Sequence, residues 1–347
     1  MKRYRFLVSK NNDVVLSVKD LHVYFYTNQR CNKVIRGVSF DIKRGRTLCV
    51  VGESGCGKSV TANSILRLLP ELSRIEEGSI TYYKDNGEEI RLDQLEKNGK
   101  QMRKLRGEDI AIIFQDPMTA LNPVYTVGHQ IEEMLKEHKK GMTKAEYKAA
   151  AIEDLADMGI PAPDIRYGEY PHQFSGGMRQ RSMIAMGMSC EPKILLADEP
   201  TTALDVTISA QIFDLMNNLK KEHDTAIMMI THNMGVVAEM ADEVAVMYMG
   251  NIVEYGKVED IFTNPTHPYT KALLRSIPVL GKGKNQQLEP IRGSTPDPFH
   301  RPKGCQFCPR CDYACERCQN EMPAEEWVTE GHYVRCFNYK EVTADGK

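Results

Sequence analysis

Alternation of apolar and polar residues opens the chain, in VVLSVKDLHVYF, VIRGVSFDI and, after the turn KRGR, TLCVV. That period predicts short strands. The run Leu48 to Val51 is apolar throughout, ends at Gly52 and gives way to helical spacing at Ala62, Ile65, Leu66 and Leu69, which Pro70 stops. Residues 79–92 predict a hairpin turning at Asp85-Asn86-Gly87. From about 128 to 160, Ile131, Met134 and Leu135 recur at helical spacing between charged residues, and PAPDIRYGEYPHQFSGG breaks the chain before another helix. KILLAD is followed by a helix with Ile208, Ile212, Leu215, Met216 and Leu219 on one face, then by TAIMMIT and EVAVMYMG as strands. Strands alternating with helices predict an α/β domain with a largely parallel sheet. Pro265, Pro268, Pro278, Pro290, Pro296, Pro298 and Pro302 mark a Pro-rich connector, which divides the chain into 1–260 and 261–347.

The length of 347 residues fits two units of that kind. A hydrophobic fraction of 41% with 27% charged residues describes a folded globular chain. The net charge of −2 argues against binding nucleic acid through bulk charge. No window supplies the roughly 18 uncharged apolar residues of a spanning helix. The most apolar stretch, 226–249, is interrupted by His232, Glu239, Asp242 and Glu243. The start MKRYRFLVSKNND is basic, but its apolar core, Phe6 to Val8, is too short for a signal peptide. The expectation is a cytoplasmic chain whose membrane role, if any, comes through a partner. Six of the ten cysteines lie between Cys305 and Cys336, and in a reducing compartment such density points to metal before disulfides. Cys31, Cys49, Cys56 and Cys190 are scattered and read as packing.

Gly52-Glu53-Ser54-Gly55-Cys56-Gly57-Lys58-Ser59 fits G-x-x-x-x-G-K-[ST] between a strand and a helix, with Val60 continuing into that helix. The glycines let backbone N–H groups turn towards phosphate oxygens, and the helix points its positive end at them. Lys58 would reach the β- and γ-phosphates, and the Ser59 hydroxyl would coordinate Mg²⁺. A second apolar strand, 194–197, ends in Asp198-Glu199. Asp198 is suited to hold Mg²⁺ through its water shell, and Glu199 to polarise an attacking water. A bare DE pair could merely cap a turn; the phosphate loop upstream favours the metal and the water.

FSGGMRQR, residues 174–181, resembles the signature of ATP-binding cassette (ABC) ATPases. Gln115 in FQDP matches the Q-loop, Ser175, Gly176 and Gly177 the signature core, Ala203-Leu204-Asp205 the D-loop, and His232 in ITHN the switch histidine. Phe25, flanked by Tyr24 and Tyr26, falls where the family places a ring against adenine. The resemblance implies an α/β P-loop ATPase with a RecA-like core, an antiparallel β subdomain and a helical subdomain near 116–172 that grips a membrane partner. It implies ATP and Mg²⁺ as ligands, with Gln115 sensing the metal and the water. His232 would donate to the γ-phosphate and align Glu199. Ser175 to Gly177 would face the γ-phosphate held by another subunit, so that hydrolysis requires a dimer.

THPYTKALLRSIP, GCQFCPRCDYACERC and GHYVRC resemble the small Cys-rich C-terminal extension of cassette subunits from oligopeptide and dipeptide importers. By spacing, Cys305, Cys308, Cys311 and Cys315 mimic a ferredoxin run, although Glu316 replaces the expected Pro. The resemblance instead selects Cys305, Cys311, Cys318 and Cys336 as ligands of a [4Fe–4S] cluster; a Cys₄ zinc site or free thiols stay open. The implied role is an ATPase that energises import of di- and oligopeptides from the cytoplasmic face of the membrane. Its implied partners are a second, different cassette subunit, two transmembrane permease subunits and, indirectly, an extracellular peptide-binding protein. A nickel or other small-solute importer is the alternative cargo. A nucleic-acid-linked cassette is disfavoured by the charge and by the single phosphate loop and signature.

Overall fold

The computed structural model describes residues 13–27, 30–202, 204–277 and 290–344. Ala203 of the D-loop match, the basic start and the 278–289 stretch of the connector lie outside the described residues. The described strands are β1 (Val14–Thr27), β2 (Arg30–Lys43), β3 (Thr47–Val51), β4 (Ser73–Tyr83), β5 (Glu89–Arg91), β6 (Ile110–Ile113), β7 (Ile194–Asp198), β8 (Ala226–Thr231), β9 (Glu243–Tyr248), β10 (Asn251–Lys257), β11 (Glu326–Thr329) and β12 (His332–Val334). They form a four-stranded antiparallel sheet, β2-β1-β4-β5, and an eight-stranded sheet, β11-β12-β10-β9-β3-β8-β7-β6. In the larger sheet β9, β3, β8, β7 and β6 run parallel. No helix among the described residues is long and apolar enough to cross a membrane.

The parallel strands read as unbroken apolar runs because both of their faces are covered. Cys49 and Val51 join Ile113, Leu195, Ala197, Ile227 and Met229 in a core shared with residues of the helices Val127–His138, Lys144–Asp157, Gly176–Met188 and Val206–His223. Leu48 and Val50, one residue out of phase, join Ile194, Leu196, Met228 and Ile230 in a second core. That core is completed by β1, β2, β4 and the helix Lys58–Ile65. The hairpin turns as its sequence predicts: Tyr82 pairs with Ile90, and Gly87, at φ 83°, donates to the Lys84 carbonyl at 2.9 Å. The helix after the phosphate loop stops earlier than its apolar spacing suggests, with Leu66 as its C-cap and Arg67 left-handed at φ 55°. Leu66 and Leu69 are nevertheless buried, so their spacing reported the core and not the length of the helix.

Beyond 261 the chain adds strands to the same sheet. β12 pairs with β10 through Tyr255↔Tyr333, whose rings stack at 5.6 Å, and β11 pairs with β12. A small tail orders itself here by borrowing an existing edge. The seam holds a fully buried carboxylate, Glu254. It accepts from the Thr266 N–H (2.7 Å), the Thr266 hydroxyl (2.6 Å) and the His267 N–H (3.0 Å), and lies 2.9 Å from His332 Nε2. Burial alone would raise its pKa, but hydrogen bonds from His332 and Thr266 hold it below the ordinary value.

Beside it His267 is buried, and its Nδ1 accepts the Tyr269 N–H at 3.0 Å, so the ring is neutral. Burial pushes its pKa down to about 4. Below pH ~6.5 the unfolded chain therefore binds a proton that the folded chain refuses, and stability falls as pH drops from 6.5 towards 4. Asp154, raised by burial to about 7, gives a slope of the opposite sign in the same window. Urea titrations across that window should show the wild type losing about 2–3 kcal/mol more than His267→Gln by pH 4.5. Parallel curves would exclude the histidine.

Candidate active site

β3 delivers the phosphate loop at its carboxyl end, between the parallel strands β9 and β8. Two glycines are obligatory there: a Cβ on Gly52 would stand 2.1 Å from the Met247 carbonyl oxygen, and one on Gly57, at φ 108°, 2.6 Å from Ile35 Cδ1. Ser54 and Gly55 are exposed at the tip, while Ser59 and Val60 are half-buried in the first helical turn. Gly57 caps that helix without a side chain, which leaves its first N–H groups available to an anion. Lys58 is buried, and its Nζ donates to the carbonyls of Gly52 (2.7 Å) and Glu53 (3.0 Å), so the cation sits inside the loop. Cys56 is buried and burial pushes its thiol pKa up, which makes it filling and not a nucleophile.

The strand register brings the other candidates to the same edge. Val51 pairs with Thr231, Asp198 with Ile230 and Ile113 with Ala197, so β6, β7 and β8 end beside the loop. Ligands of open parallel sheets bind outside such carboxyl ends. Asp198 is buried, and burial raises its pKa against a hydrogen bond from Ser59. Its Oδ1 has no hydrogen-bond partner. An orphaned buried carboxylate oxygen beside a hydroxyl is a donor set that suits Mg²⁺.

Glu199 follows at φ 46°, a left-handed conformation costly for a side-chain-bearing residue. Its backbone N–H is tied to the Ile230 carbonyl at 2.9 Å. Its carboxylate gathers three groups, each at 2.9 Å: His232 Nδ1 on Oε1, and Gln115 Nε2 and the Thr202 hydroxyl on Oε2. Burial pushes the Glu199 pKa up, but the His232 and Thr202 hydrogen bonds and the His232 and Lys58 charges outweigh it, and the group is held below the ordinary value. The sequence reading paired Gln115, Glu199 and His232 but missed Thr202, whose only signal was its place three residues after the carboxylate.

The remaining candidates lie elsewhere. Ser175 and Gly176 are exposed; Ser175 caps the helix Gly176–Met188 by accepting the Met178 N–H at 3.3 Å. A Cβ on Gly177 would stand 3.0 Å from Ile208 Cγ2. Asp205 accepts the Ile208 N–H at 2.9 Å and so caps the helix Val206–His223. Phe25 packs half-buried against the second core, whereas Tyr24 and Tyr26 lie beneath Lys33 and Arg74.

Residues 35–202 match the family described as "ABC transporter", and residues 253–318 the "Oligopeptide/dipeptide transporter, C-terminal region". The dipeptide transport ATP-binding protein DppD of Bacillus subtilis (strain 168) is 49% identical over 93% of this chain and 94% of its own length. The chain belongs to the ABC transporter family. The oligopeptide transport ATP-binding protein AppD of the same organism is 46% identical over 95% of this chain and 98% of its own. Among solved structures, this ABC chain is similar to the dimeric cassette MJ0796 bound to ADP and Pi, at a TM-score of 0.62 and 27% identity. That match covers 70% of this chain and 98% of the other.

In the extension of this ABC protein, Cys318 and Cys336 are buried and Cys305 and Cys311 half-buried. Burial pushes the thiol pKa of Cys305 up to about 11, and those of Cys311 and Cys336 up to about 12; Cys305 and Cys318 lie near enough to Cys311 and Cys336 to add to the rise. The segment is folded back on itself, with Cys305 N–H donating to the Cys318 carbonyl at 2.8 Å. Among the described residues no three cysteine sulfurs lie within 4.8 Å of one another. A tetrahedral zinc with bonds of about 2.3 Å needs sulfurs about 3.8 Å apart.

Proposed function

We propose that this chain is the ATP-hydrolysing subunit that energises uptake of di- or oligopeptides through a separate permease on the cytoplasmic face of the membrane. The convergence of Gln115, Thr202 and His232 on an ionised Glu199 beside the phosphate loop carries this reading. The backbone of Gly55 to Lys58 cradles the phosphates, Lys58 exchanges its carbonyl partners for phosphate oxygens, and Phe25 stacks on adenine. Ser59 and Asp198, with Gln115, would hold Mg²⁺, which supplies charge neutralisation at the phosphates. Glu199 orients a water and takes its proton; His232, donating through Nδ1, keeps that carboxylate aligned.

The signature, Ser175 to Gly177, with Ser175 and Gly176 exposed, serves the nucleotide of a second cassette subunit, which we take to be a different chain. Asp205 and the exposed Val206 beside it belong to the same interface. Phe114, Met118, Val124, Tyr125, Ile165 and Tyr170 are exposed along 114–170, and this apolar surface suits the two permease subunits. An extracellular peptide-binding protein supplies the cargo to them. We read 1–260 as the cassette and 261–347 as its extension, where Cys305, Cys311, Cys318 and Cys336 would hold a [4Fe–4S] cluster as a structural staple. The relatives' peptide-import names and the C-terminal region match support this cargo.

The test is Lys58→Ala in the assembled transporter. Removing a buried cation from the cradle is expected to weaken ATP binding about tenfold or more and to stop peptide uptake. Unchanged ATP affinity would overturn the site, and wild-type transporter that moves nickel chelates but no peptide would overturn the cargo.

A further inference from the structure

The second residue of the phosphate loop is gripped by the extension. Glu53 meets the Arg310 guanidinium as a fork, Nη1 to Oε2 at 2.6 Å and Nη2 to Oε1 at 3.0 Å, and the Thr295 hydroxyl donates to Oε2 at 3.3 Å. The Glu53 N–H donates to the Tyr269 hydroxyl at 2.8 Å, and its carbonyl accepts from Lys58. Arg310 is itself fixed: its side chain is 3% exposed, its Nε donates to the Arg292 carbonyl at 2.9 Å, and its guanidinium lies over Tyr248 and Phe307. Tyr248, Tyr269 and Phe307 pack ring to ring with centroids 4.7–5.4 Å apart, so the cation sits in a rigid aromatic box. Arg310 stands between Cys308 and Cys311, fifty residues beyond the cassette, yet it reaches the loop that binds phosphate.

We propose that Arg310 is a positioning residue for ATP: it neutralises Glu53 and holds it off the phosphates, so that the extension is part of the nucleotide site. This rests on the phosphate-loop reading above. An unpaired carboxylate in that loop would face the polyphosphate with like charge in a partly desolvated setting. Only a planar fork satisfies both Glu53 oxygens at once, which a lysine does not do.

The experiment measures ATP affinity in the presence of Mg²⁺ on the full chain, with Lys58→Ala as the control for the site. Arg310→Met is expected to weaken ATP binding about tenfold. The double variant Arg310→Met/Glu53→Gln removes both charges together and should return to within about threefold of the wild type. Recovery separates charge from folding, because a merely structural loss of Arg310 is not repaired by changing Glu53. Should Arg310→Met fold poorly, Arg310→Lys carries the test, with an expected loss of about threefold. Wild-type affinity in Arg310→Lys or Arg310→Met, or a double variant as weak as Arg310→Met, overturns the proposal. Lys58→Ala binding ATP normally would instead overturn the site on which it rests.

Discussion

Glu199→Gln is expected to slow ATP turnover in the assembled transporter by about 10²-fold or more while ATP binding stays near its original strength. The substitution conserves shape, and the backbone tie from Glu199 N–H to the Ile230 carbonyl remains. What changes is the donor and acceptor pattern. The carboxylate is acceptor-only and accepts hydrogen bonds from His232, Gln115 and Thr202 together. A glutamine offers one acceptor oxygen and an amide that confronts the Gln115 amide donor to donor, unless one of the two flips. It also has no base to accept the proton of the attacking water. Binding should survive because Lys58 Nζ is held on the Gly52 and Glu53 carbonyls and not on this carboxylate. Phosphate release in reconstituted transporter, set against ATP affinity of the same preparation, checks this. Turnover at the wild-type rate would remove Glu199 from the role of base.

The phosphate loop and the DE pair were legible as local patterns ending predicted strands, whereas Gln115 and His232 were read from the family resemblance, and the strand Ile110–Ile113 that leads to Gln115 was not predicted. Parallel pairing then does the rest: with β6, β7, β8 and β3 in register, their carboxyl ends and whatever follows them must meet. Thr202 was not legible, since a threonine three residues after an acid is ordinarily a turn residue, and only the left-handed turn at Glu199 directs its hydroxyl back to the carboxylate. The addition of β11 and β12 to the main sheet was also hidden. Their short, half-polar runs carry little strand signal, and they are strands because the β10 edge offers them partners. The fork from Arg310 to Glu53 joins residues 257 positions apart, a distance that no local pattern spans. Proline spacing marked a boundary near 260, where sequence composition does change, yet buried Glu254, His267 and His332 tie the two sides together. Composition reports the chain's local stiffness and says nothing of which edges later pair.

Anaerobically purified protein is expected to be brown and to hold about four irons per chain, if Cys305, Cys311, Cys318 and Cys336 ligate a [4Fe–4S] cluster. Serine at any one of the four should release the iron and loosen the extension, read as faster proteolysis between 300 and 340. The physical reason is that this segment has little core of its own: it is anchored at Phe307 and by the Arg310 fork to Glu53, and the rest is ordered by turns such as Cys305 N–H on the Cys318 carbonyl and by the β12 pairing with β10. Cys315 is the competing ligand, because its sulfur lies 3.4 Å from that of Cys318. With the proposed ligand set, Cys308→Ser and Cys315→Ser should both keep the iron, which separates this set from the ferredoxin-like run of Cys305, Cys308, Cys311 and Cys315. Iron lost from Cys315→Ser but retained in Cys336→Ser would assign the cluster to that run, and stoichiometric zinc without iron would replace the cluster with a Cys₄ ion.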